Sequence, residues 1–205
     1  NMKKILFITV CLISSMFQLA SAQTDSELLQ QKLAKFTTID ADFVQQVINP
    51  KGEVIQKSLG TLAIARPGNF HWQVTQPDEE LIVSNGQDMW LYSPFIEQVT
   101  IMNFSDAIAG TPFALLSGAD SAQWAQFNVV KKDQQFIVKS SDPKASTNTF
   151  IFIFNKADNI SEFVVQESQG QKSVFTLSNN KNNSTFAKDF FEFKIPNGIE
   201  IDDQH

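Results

Sequence analysis

The strongest constraint on this chain is a two-residue alternation of apolar and other side chains, which recurs from about residue 39 to the C-terminal region. In FHWQV, Phe70, Trp72 and Val74 share one face of a strand, and the residues between them take the other face. Comparable segments, separated by turn signals, predict about eleven or twelve strands. A chain with this pattern is mainly β-structured.

Helical signals occur at two places only. Thr24 and Glu27 match a capping box ahead of a run with apolar residues at helical spacing, which predicts a helix over residues 24–36. In the middle, FSDAIAG predicts a helical turn. TPFALLSG predicts a short helix with Thr111 as N-cap, Pro112 at the first position and Gly118 as its stop.

Three turn and loop predictions complete the outline. Asn85-Gly86 predicts a two-residue hairpin between apolar runs, PGN at 67–69 predicts a turn, and NNKNNS at 179–184 predicts a polar loop. The apolar FFEFKI at 190–195 is interpreted as a strand.

A sheet of this size must curl, split or close. The helical pieces are too few to cover both of its faces, so they fit better as a lid over a concave face. The predicted fold class is mainly β with α: an incomplete, half-closed antiparallel β-barrel with a helical lid over an apolar cavity.

The first residues resemble a secretory signal peptide. Lys3 and Lys4 precede the apolar run 5–13, and Ala20-Ser21-Ala22 forms a small-x-small cleavage site. We therefore expect a cleaved signal peptide at 1–22, a single domain at 23–205, and export. Cys11, the only cysteine, lacks the small preceding residue of a lipidation signal.

Charge and composition limit the classes of partner that the chain can bind. Removing two lysines from the 16 basic residues leaves 14 against 22 acidic ones, a formal charge of −8. Such a chain is a poor partner for nucleic acid or anionic membranes. Phenylalanine occurs 19 times and tyrosine once. This excess is compatible with an ordinary core and with an apolar interior larger than packing requires.

No motif for catalysis or cofactor binding is present. The sequence has no nucleophile elbow, phosphate loop or metalloprotease motif. His71 is interpreted as a surface residue, and Asp202, Asp203 and His205 as a solvated tail rather than a metal site. We predict no catalytic residues, no cofactor, no metal and no enzyme activity.

Five segments in constant order carry a family resemblance: FVQQV, LGTLAIARPGNFHWQVTQP, IVSNGQDMWLYSPFIEQVT, GTPFALL and IPNGIEIDDQ. Together they resemble the LolA family of periplasmic outer-membrane lipoprotein carriers. The resemblance implies a periplasmic carrier in a Gram-negative bacterium. It implies that triacylated lipoproteins pass from an inner-membrane ABC transporter to an outer-membrane receptor. A monomer without nucleic-acid partners is expected.

The same resemblance implies site residues. Arg66, the only arginine, occupies the position at which the family's arginine bonds to lid backbone and holds the empty cavity shut. A guanidinium offers five donors in a rigid fork and can bind carbonyls at a helix end. An ordinary surface ion pair is the alternative. The expected lid residues are Leu33, Phe113, Ala114 and Leu116, and the expected cavity residues are Phe43, Leu62, Phe70, Trp72 and Trp90.

Three alternatives remain. An outer-membrane receptor of the same fold would carry a lipid anchor. A generic periplasmic lipid-binding protein would take free fatty acid as well as lipoprotein. A lipid or glycan hydrolase would need a nucleophile or an acid–base pair in the cavity, and the sequence offers no candidate.

Overall fold

A computed structural model describes residues 22–144 and 148–205. Its strands form one 12-stranded sheet in the order β12-β6-β5-β4-β3-β2-β1-β11-β10-β9-β8-β7. The strands are β1 Thr38–Ile48, β2 Val54–Ala65, β3 Asn69–Gln76, β4 Glu80–Asn85, β5 Asp88–Ser93, β6 Gln98–Asn103, β7 Phe127–Lys132, β8 Gln135–Ser140, β9 Thr149–Phe154, β10 Ile160–Gln166, β11 Lys172–Asn182 and β12 Glu200–Asp203. The predicted signal peptide falls, except for its last residue, outside the described residues and stays a prediction.

The helices are short and few. They are α1 Asp25–Ala34, α2 Phe104–Ile108, α3 Pro112–Leu116 and α4 Ser121–Trp124, with a 3₁₀ turn at Pro94–Ile96. The first three were expected, whereas α4 was not. It begins with its own capping box, in which Asp120 accepts from the backbone N–H of Gln123 at 2.9 Å. The predicted class, mainly β with few helices, is confirmed.

The sheet consists of two antiparallel meanders, one of β1 to β6 and one of β7 to β11, with β12 added at the edge beside β6. β1 pairs with β2 on one side and with β11 on the other, so the two halves of the chain meet there. β12 runs parallel to β6, which differs from the purely antiparallel sheet expected. The strand order ends at β12 and β7, so the sheet curls but stays open.

Two predictions near the C-terminus were wrong: the end of one strand and the presence of another. β11 continues to Asn182 through part of the expected polar loop, because Lys181 and Asn182 pair with the start of β1 beyond a register shift. The expected strand 190–195 forms no ladder. Phe191 is buried, while Phe193 and Ile195 pack on the sheet around Val83. The alternation there serves packing on a sheet face rather than pairing.

The predicted β4–β5 hairpin is present, but its turn lies one residue later. Ser84 pairs with Met89, which leaves Gly86 and Gln87 as the loop. Gly86 has φ +90°, as the first position of a type II′ turn requires. The Asn85 side chain accepts from the backbone N–H groups of Gln87 and Asp88, both at 3.0 Å. Asn85 therefore stabilises the turn from the strand end.

α1 packs on the main apolar cluster and contacts β7. Thr24 and Glu27 form the predicted capping box, with bonds of 3.1 and 2.9 Å. Leu29 and Leu33 are buried in the main apolar cluster. Asp158 binds the side chains of Lys32 and Lys35, and these bonds lower the pKa of Asp158 to about 2. The helix is thus fixed to the β9–β10 turn as well as to the core.

Gly60 leaves space on the concave face for the ring of Phe43. It pairs with Phe43 across β1 and β2, and the Phe43 ring stacks on Trp72 with 4.0 Å between centroids. A Cβ atom at residue 60 would lie 2.0 Å from the Gln73 carbonyl oxygen and 2.5 Å from Phe43 Cζ. The missing side chain provides the space that the Phe43 ring occupies.

We predict that Gly60→Ala lowers the free energy of unfolding by about 1–3 kcal/mol, the usual cost of overpacking a dense core. Urea unfolding followed by circular dichroism measures this. Thr61→Ala, at the exposed next position in β2, is the control and should stay within about 0.5 kcal/mol of the wild type. Equal stability of Gly60→Ala and wild type would contradict this account of the Phe43 site.

Candidate functional site

A cavity of about 340 Å³ lies between the concave face of the sheet and the segment 104–118, which carries α2 and α3 and is called the lid here. Its walls come from strands β1, β3, β4, β5 and β11 and from the lid. The lining residues are Gln45, Phe70, Trp72, Ile82, Met89, Phe104, Ala107, Ile108, Thr111, Phe113, Ser117 and Phe175.

The wall of the cavity is dominated by aromatic rings without hydroxyl groups. Trp72 and Phe175 meet edge to face at 5.2 Å, and Phe70 meets Phe113 of the lid at the same distance. Phe163 stacks behind Phe175 at 4.4 Å. The few polar lining residues carry no charge at all. The cavity therefore suits an apolar ligand and offers no ionisable group for catalysis.

The predicted lid residues fall into two layers. Phe113 lines the cavity directly, and Ala114 is buried against Met89 in a cluster of lid and β5 residues. Leu116 is buried in the main cluster. Leu33 belongs to that same cluster but lies on α1, away from the cavity lining. The short central helix therefore covers the site, while α1 supports it.

Of the predicted cavity residues, only some line the cavity. Phe70 and Trp72 line the cavity. Phe43 stacks on Trp72, and Leu62 pairs with Trp72 across β2 and β3, so both lie beside Trp72 on the concave face without lining the cavity. The alternation in β3 puts both aromatic residues on the face that lines the cavity.

Trp90 was assigned to the cavity wrongly. It packs on the opposite, convex face of the sheet with Val83 and Val99, under the C-terminal residues Phe193 and Ile195. Its strand neighbour Met89 faces the cavity instead. Both faces of β4 and β5 are covered, so apolar side chains occur on both and the alternation does not reveal which is inside.

The sequence reasoning also missed several cavity residues. Ile82, Met89, Phe104, Ala107 and Ile108 line the site without having been predicted. A usable signal was present, since Ile82 pairs with Trp72 and shares its face. Counting outward from Trp72 through the two hairpins would have selected Ile82, Met89 and Leu91 and rejected Trp90.

The turn after β2 holds the C-terminal end of the lid. Arg66 Nε donates to the Leu116 carbonyl at 2.9 Å, and the Gly68 N–H donates to the Ser117 carbonyl at 3.1 Å. These carbonyls lie at the end of α3, where helical acceptors lack partners. Burial lowers the pKa of Arg66 from its ordinary value. Its Nη2 is buried and has no partner among the described residues.

The same turn is fixed from below by the β4–β5 hairpin. Ser84, which is fully buried, donates to the Gly68 carbonyl at 3.1 Å and accepts from the Gly86 N–H at 3.0 Å. A Cβ atom on Gly68, whose φ is +74°, would lie 2.8 Å from Gly86 Cα. Two glycines and one serine thus place the Arg66 turn rigidly beneath the lid. The sequence analysis did not identify Ser84.

The two histidines lie outside the cavity. His71 stacks on Phe190 at 4.6 Å, and burial lowers its pKa. His205 contacts Asp203 at 2.6 Å and Asp88 at 3.1 Å, which raises its pKa, so it is fixed to the sheet rather than part of a free tail. Within residues 22–144 and 148–205, no group of acidic, histidine or cysteine residues could hold a metal ion. None of the helices in these ranges is both long and apolar enough to cross a membrane.

Comparison with known proteins identifies the family. The profile of LolA, outer membrane lipoprotein carrier protein, matches residues 34–194. The chain belongs to the LolA family. An outer-membrane lipoprotein carrier protein of Psychromonas ingrahamii is 54% identical over 99% of this chain and 100% of its own length. The protein of that name from Aeromonas salmonicida is 41% identical over 94% of this chain and 97% of its own.

Solved structures agree on the fold. A LolA superfamily protein from Nitrosomonas europaea superposes with a TM-score of 0.50 at 10% identity, covering 82% of this chain and 98% of its own. Membership of a carrier family also agrees with the prediction that the chain is not an enzyme.

We predict that a fatty acid brominated along its chain quenches tryptophan emission mainly through Trp72, because Trp72 is the tryptophan that lines the cavity. Trp72→Phe should lose most of the quenching. Trp90→Phe is the matched control and should keep it, since Trp90 lies on the other face. Steady-state fluorescence titration checks this. Quenching that survives in Trp72→Phe but disappears in Trp124→Phe would place the ligand elsewhere.

Proposed function

We propose that this protein carries lipoproteins across the periplasm of a Gram-negative bacterium by enclosing their acyl chains beneath the lid. The observation that carries the proposal is an uncharged aromatic cavity under a lid whose end is held by hydrogen bonds from Arg66 and Gly68. Family membership supports the same function.

The energetics of acyl transfer explain why such a cavity is needed. Burying a methylene group is worth about 0.8 kcal/mol, so one chain of about sixteen carbons amounts to roughly 12 kcal/mol. A triacylated protein therefore cannot leave a bilayer for water at a useful rate. An apolar cavity replaces the bilayer during transit, and the carrier's affinity needs to lie between those of donor and receptor.

The closed cavity has to open for such a cargo. Its volume of about 340 Å³ is near the lower end of the range for drug-sized ligands, about 300–1,000 Å³. Hydrogen bonds involving a charged group contribute about 1.5–3 kcal/mol each, which is far less than one acyl chain contributes on burial. Incoming lipid can thus displace the lid, while the bonds keep the empty cavity covered.

Further parts of the proposal rest on the sequence. Residues 1–22 direct export and are removed, and residues 23–205 form the carrier domain. The carrier receives cargo from an inner-membrane ABC transporter and passes it to an outer-membrane receptor. A formal charge of −8 for residues 23–205 disfavours adhesion to anionic membranes, which supports a freely diffusing monomer.

The direct test is release of lipoproteins from spheroplasts. Residues 23–205 are added to spheroplasts that are synthesising labelled lipoproteins, and the supernatant is analysed. We expect stoichiometric complexes of carrier and lipoprotein. Serum albumin at equal concentration controls for nonspecific lipid extraction. If the labelled lipoproteins stay in the spheroplasts while the carrier is folded, the proposed function is wrong.

We predict that Arg66→Leu loads lipoprotein but transfers little of it. The substitution removes a bond made only in the closed state, so the open, lipid-competent state gains population. A loss of about 3 kcal/mol shifts the balance more than a hundredfold. Lipid then enters more readily and leaves less readily, because closure no longer competes with it. Transfer of one labelled lipoprotein to receptor-bearing membranes measures this.

Arg66→Lys is the matched variant for charge. It keeps the positive charge but loses the planar fork, so its transfer should be intermediate. The Gly68 bond to Ser117 is a backbone bond and stays available in both variants. Poor loading with normal transfer in Arg66→Leu would make Arg66 a cargo contact rather than a latch.

A further inference from the structure

A second hollow of about 190 Å³ continues the concave face beyond the cavity. It is called the rim groove here and lies over β4, β5 and β6. Ile82 lines both hollows, so the two adjoin along one side chain. The rim groove is lined by Glu80, Leu81, Ile82, Leu91, Tyr92, Ser93, Ile96, Gln98 and Thr100.

Strand register shows how the rim groove joins the cavity. Trp72 pairs with Ile82, Ile82 with Leu91, and Leu91 with Thr100, so these four side chains form one row on the concave face. Leu91 also packs against the cluster that contains Met89. The row is apolar from the cavity to Leu91 and becomes polar at Thr100.

In the neighbouring row, one step closer to the strand ends, the residues of β4, β5 and β6 are polar. Ser93 pairs with Gln98, and Glu80 pairs with Val74 at the start of β4. The ring of Tyr92, the chain's single tyrosine, lies on the opposite face, where it packs with Phe193 at 5.3 Å between centroids. An apolar track thus meets a group of hydroxyl and amide donors on one face. This is the surface that an amphiphile needs at the junction of its acyl chains and its polar end.

We propose that the rim groove binds the polar junction of the cargo's lipid anchor: the glyceryl esters, the amide and the first peptide groups of the acylated cysteine. The proposal rests on the carrier function proposed above and specifies where its cargo lies. The acyl chains extend past Ile82 into the cavity, and the protein part of the cargo leaves the groove towards solvent.

The groove's outer end is open to such an exit. Ile96, in the 3₁₀ turn after β5, lines the groove and is 59% exposed, and the adjacent Phe95 is 83% exposed. This end lies at the opposite ends of the strands from Arg66, so cargo protein there does not obstruct the bonds that close the lid. The protein part of the cargo therefore does not contact the Arg66 turn while its acyl chains are bound.

The chemistry of the groove favours a neutral polar group. Ester and amide carbonyls accept hydrogen bonds, and Ser93, Gln98 and Thr100 carry donors on the concave face. Glu80 is the one charged residue among the groove's lining, and no cation lies among them to pair with a phosphate. A lipopeptide with a neutral acylated end thus fits better than an anionic phospholipid. The groove gives the carrier a basis for discriminating lipoprotein from bulk membrane lipid.

The test fills the groove without touching the cavity. Thr100→Trp places a large side chain in the groove, and Thr61→Trp places the same side chain on exposed β2 surface as the matched control. Binding of a tripalmitoyl-cysteinyl peptide and of a fluorescent palmitic acid is titrated with each protein, after thermal melts show that all are folded. We expect Thr100→Trp to weaken peptide binding about tenfold while palmitic acid binds as to wild type, and Thr61→Trp to change neither.

A second measurement does not depend on a destabilising substitution. A photo-reactive phenylalanine analogue at Gln98 should crosslink to the peptide part of the lipopeptide, and the analogue at Thr61 should not. Wild type should also bind neutral diacylglycerol more tightly than phosphatidic acid with identical chains.

The outcomes separate the two proposals. If wild type binds neither lipopeptide nor palmitic acid, the carrier function itself is contradicted. If it binds both, but Thr100→Trp binds the lipopeptide normally and Gln98 gives no crosslink, only the groove proposal is overturned. Equal or tighter binding of phosphatidic acid overturns the proposed selectivity for a neutral end.

Discussion

Two hydrogen bonds from one turn join the lid to the sheet beside the cavity. Arg66 and Gly68 bind consecutive carbonyls at the end of α3, at 2.9 and 3.1 Å. The lid needs this connection because its helices are only five residues long and cannot be stable alone. The turn in turn depends on Ser84 and on the absence of side chains at Gly68 and Gly86. A small, rigid turn therefore holds the lid with a few hydrogen bonds.

Because the sheet is open, other segments of the chain cover both of its faces. A closed barrel would bury its inner face alone, but this sheet ends at β7 and β12 and curls only partly. The lid covers the concave side, and the irregular segment around Phe191 and Phe193 covers the convex side of the first hairpins. Central strands buried on both faces lose their clear alternation. The misplaced Trp90 is a direct consequence of this double coverage.

The excess of phenylalanine has a structural role beyond an ordinary core. Rings of Phe70, Phe113, Phe163 and Phe175 surround Trp72 in edge-to-face and stacked contacts. A tyrosine in the same place would need a partner for its hydroxyl, which an empty apolar cavity cannot provide. The chain's one tyrosine lies instead on the convex face, where its ring packs with Phe193. The preference for phenylalanine over tyrosine thus suits an uncharged, largely apolar cavity.

Local patterns in the sequence were sufficient for much of the fold and part of the site. The capping box of α1, the alternation in β3 and the rigid turn at Arg66 depend on neighbours a few residues away, so strand number, the short lid helix and the Phe70–Trp72 wall could be predicted from them. The face of Trp90, the parallel pairing of β12 with β6, the role of Ser84 and the rim groove depend on residues far apart in the chain. Only the tertiary structure decided these features, because register between strands and coverage of a sheet face are set by long-range packing that no local period encodes.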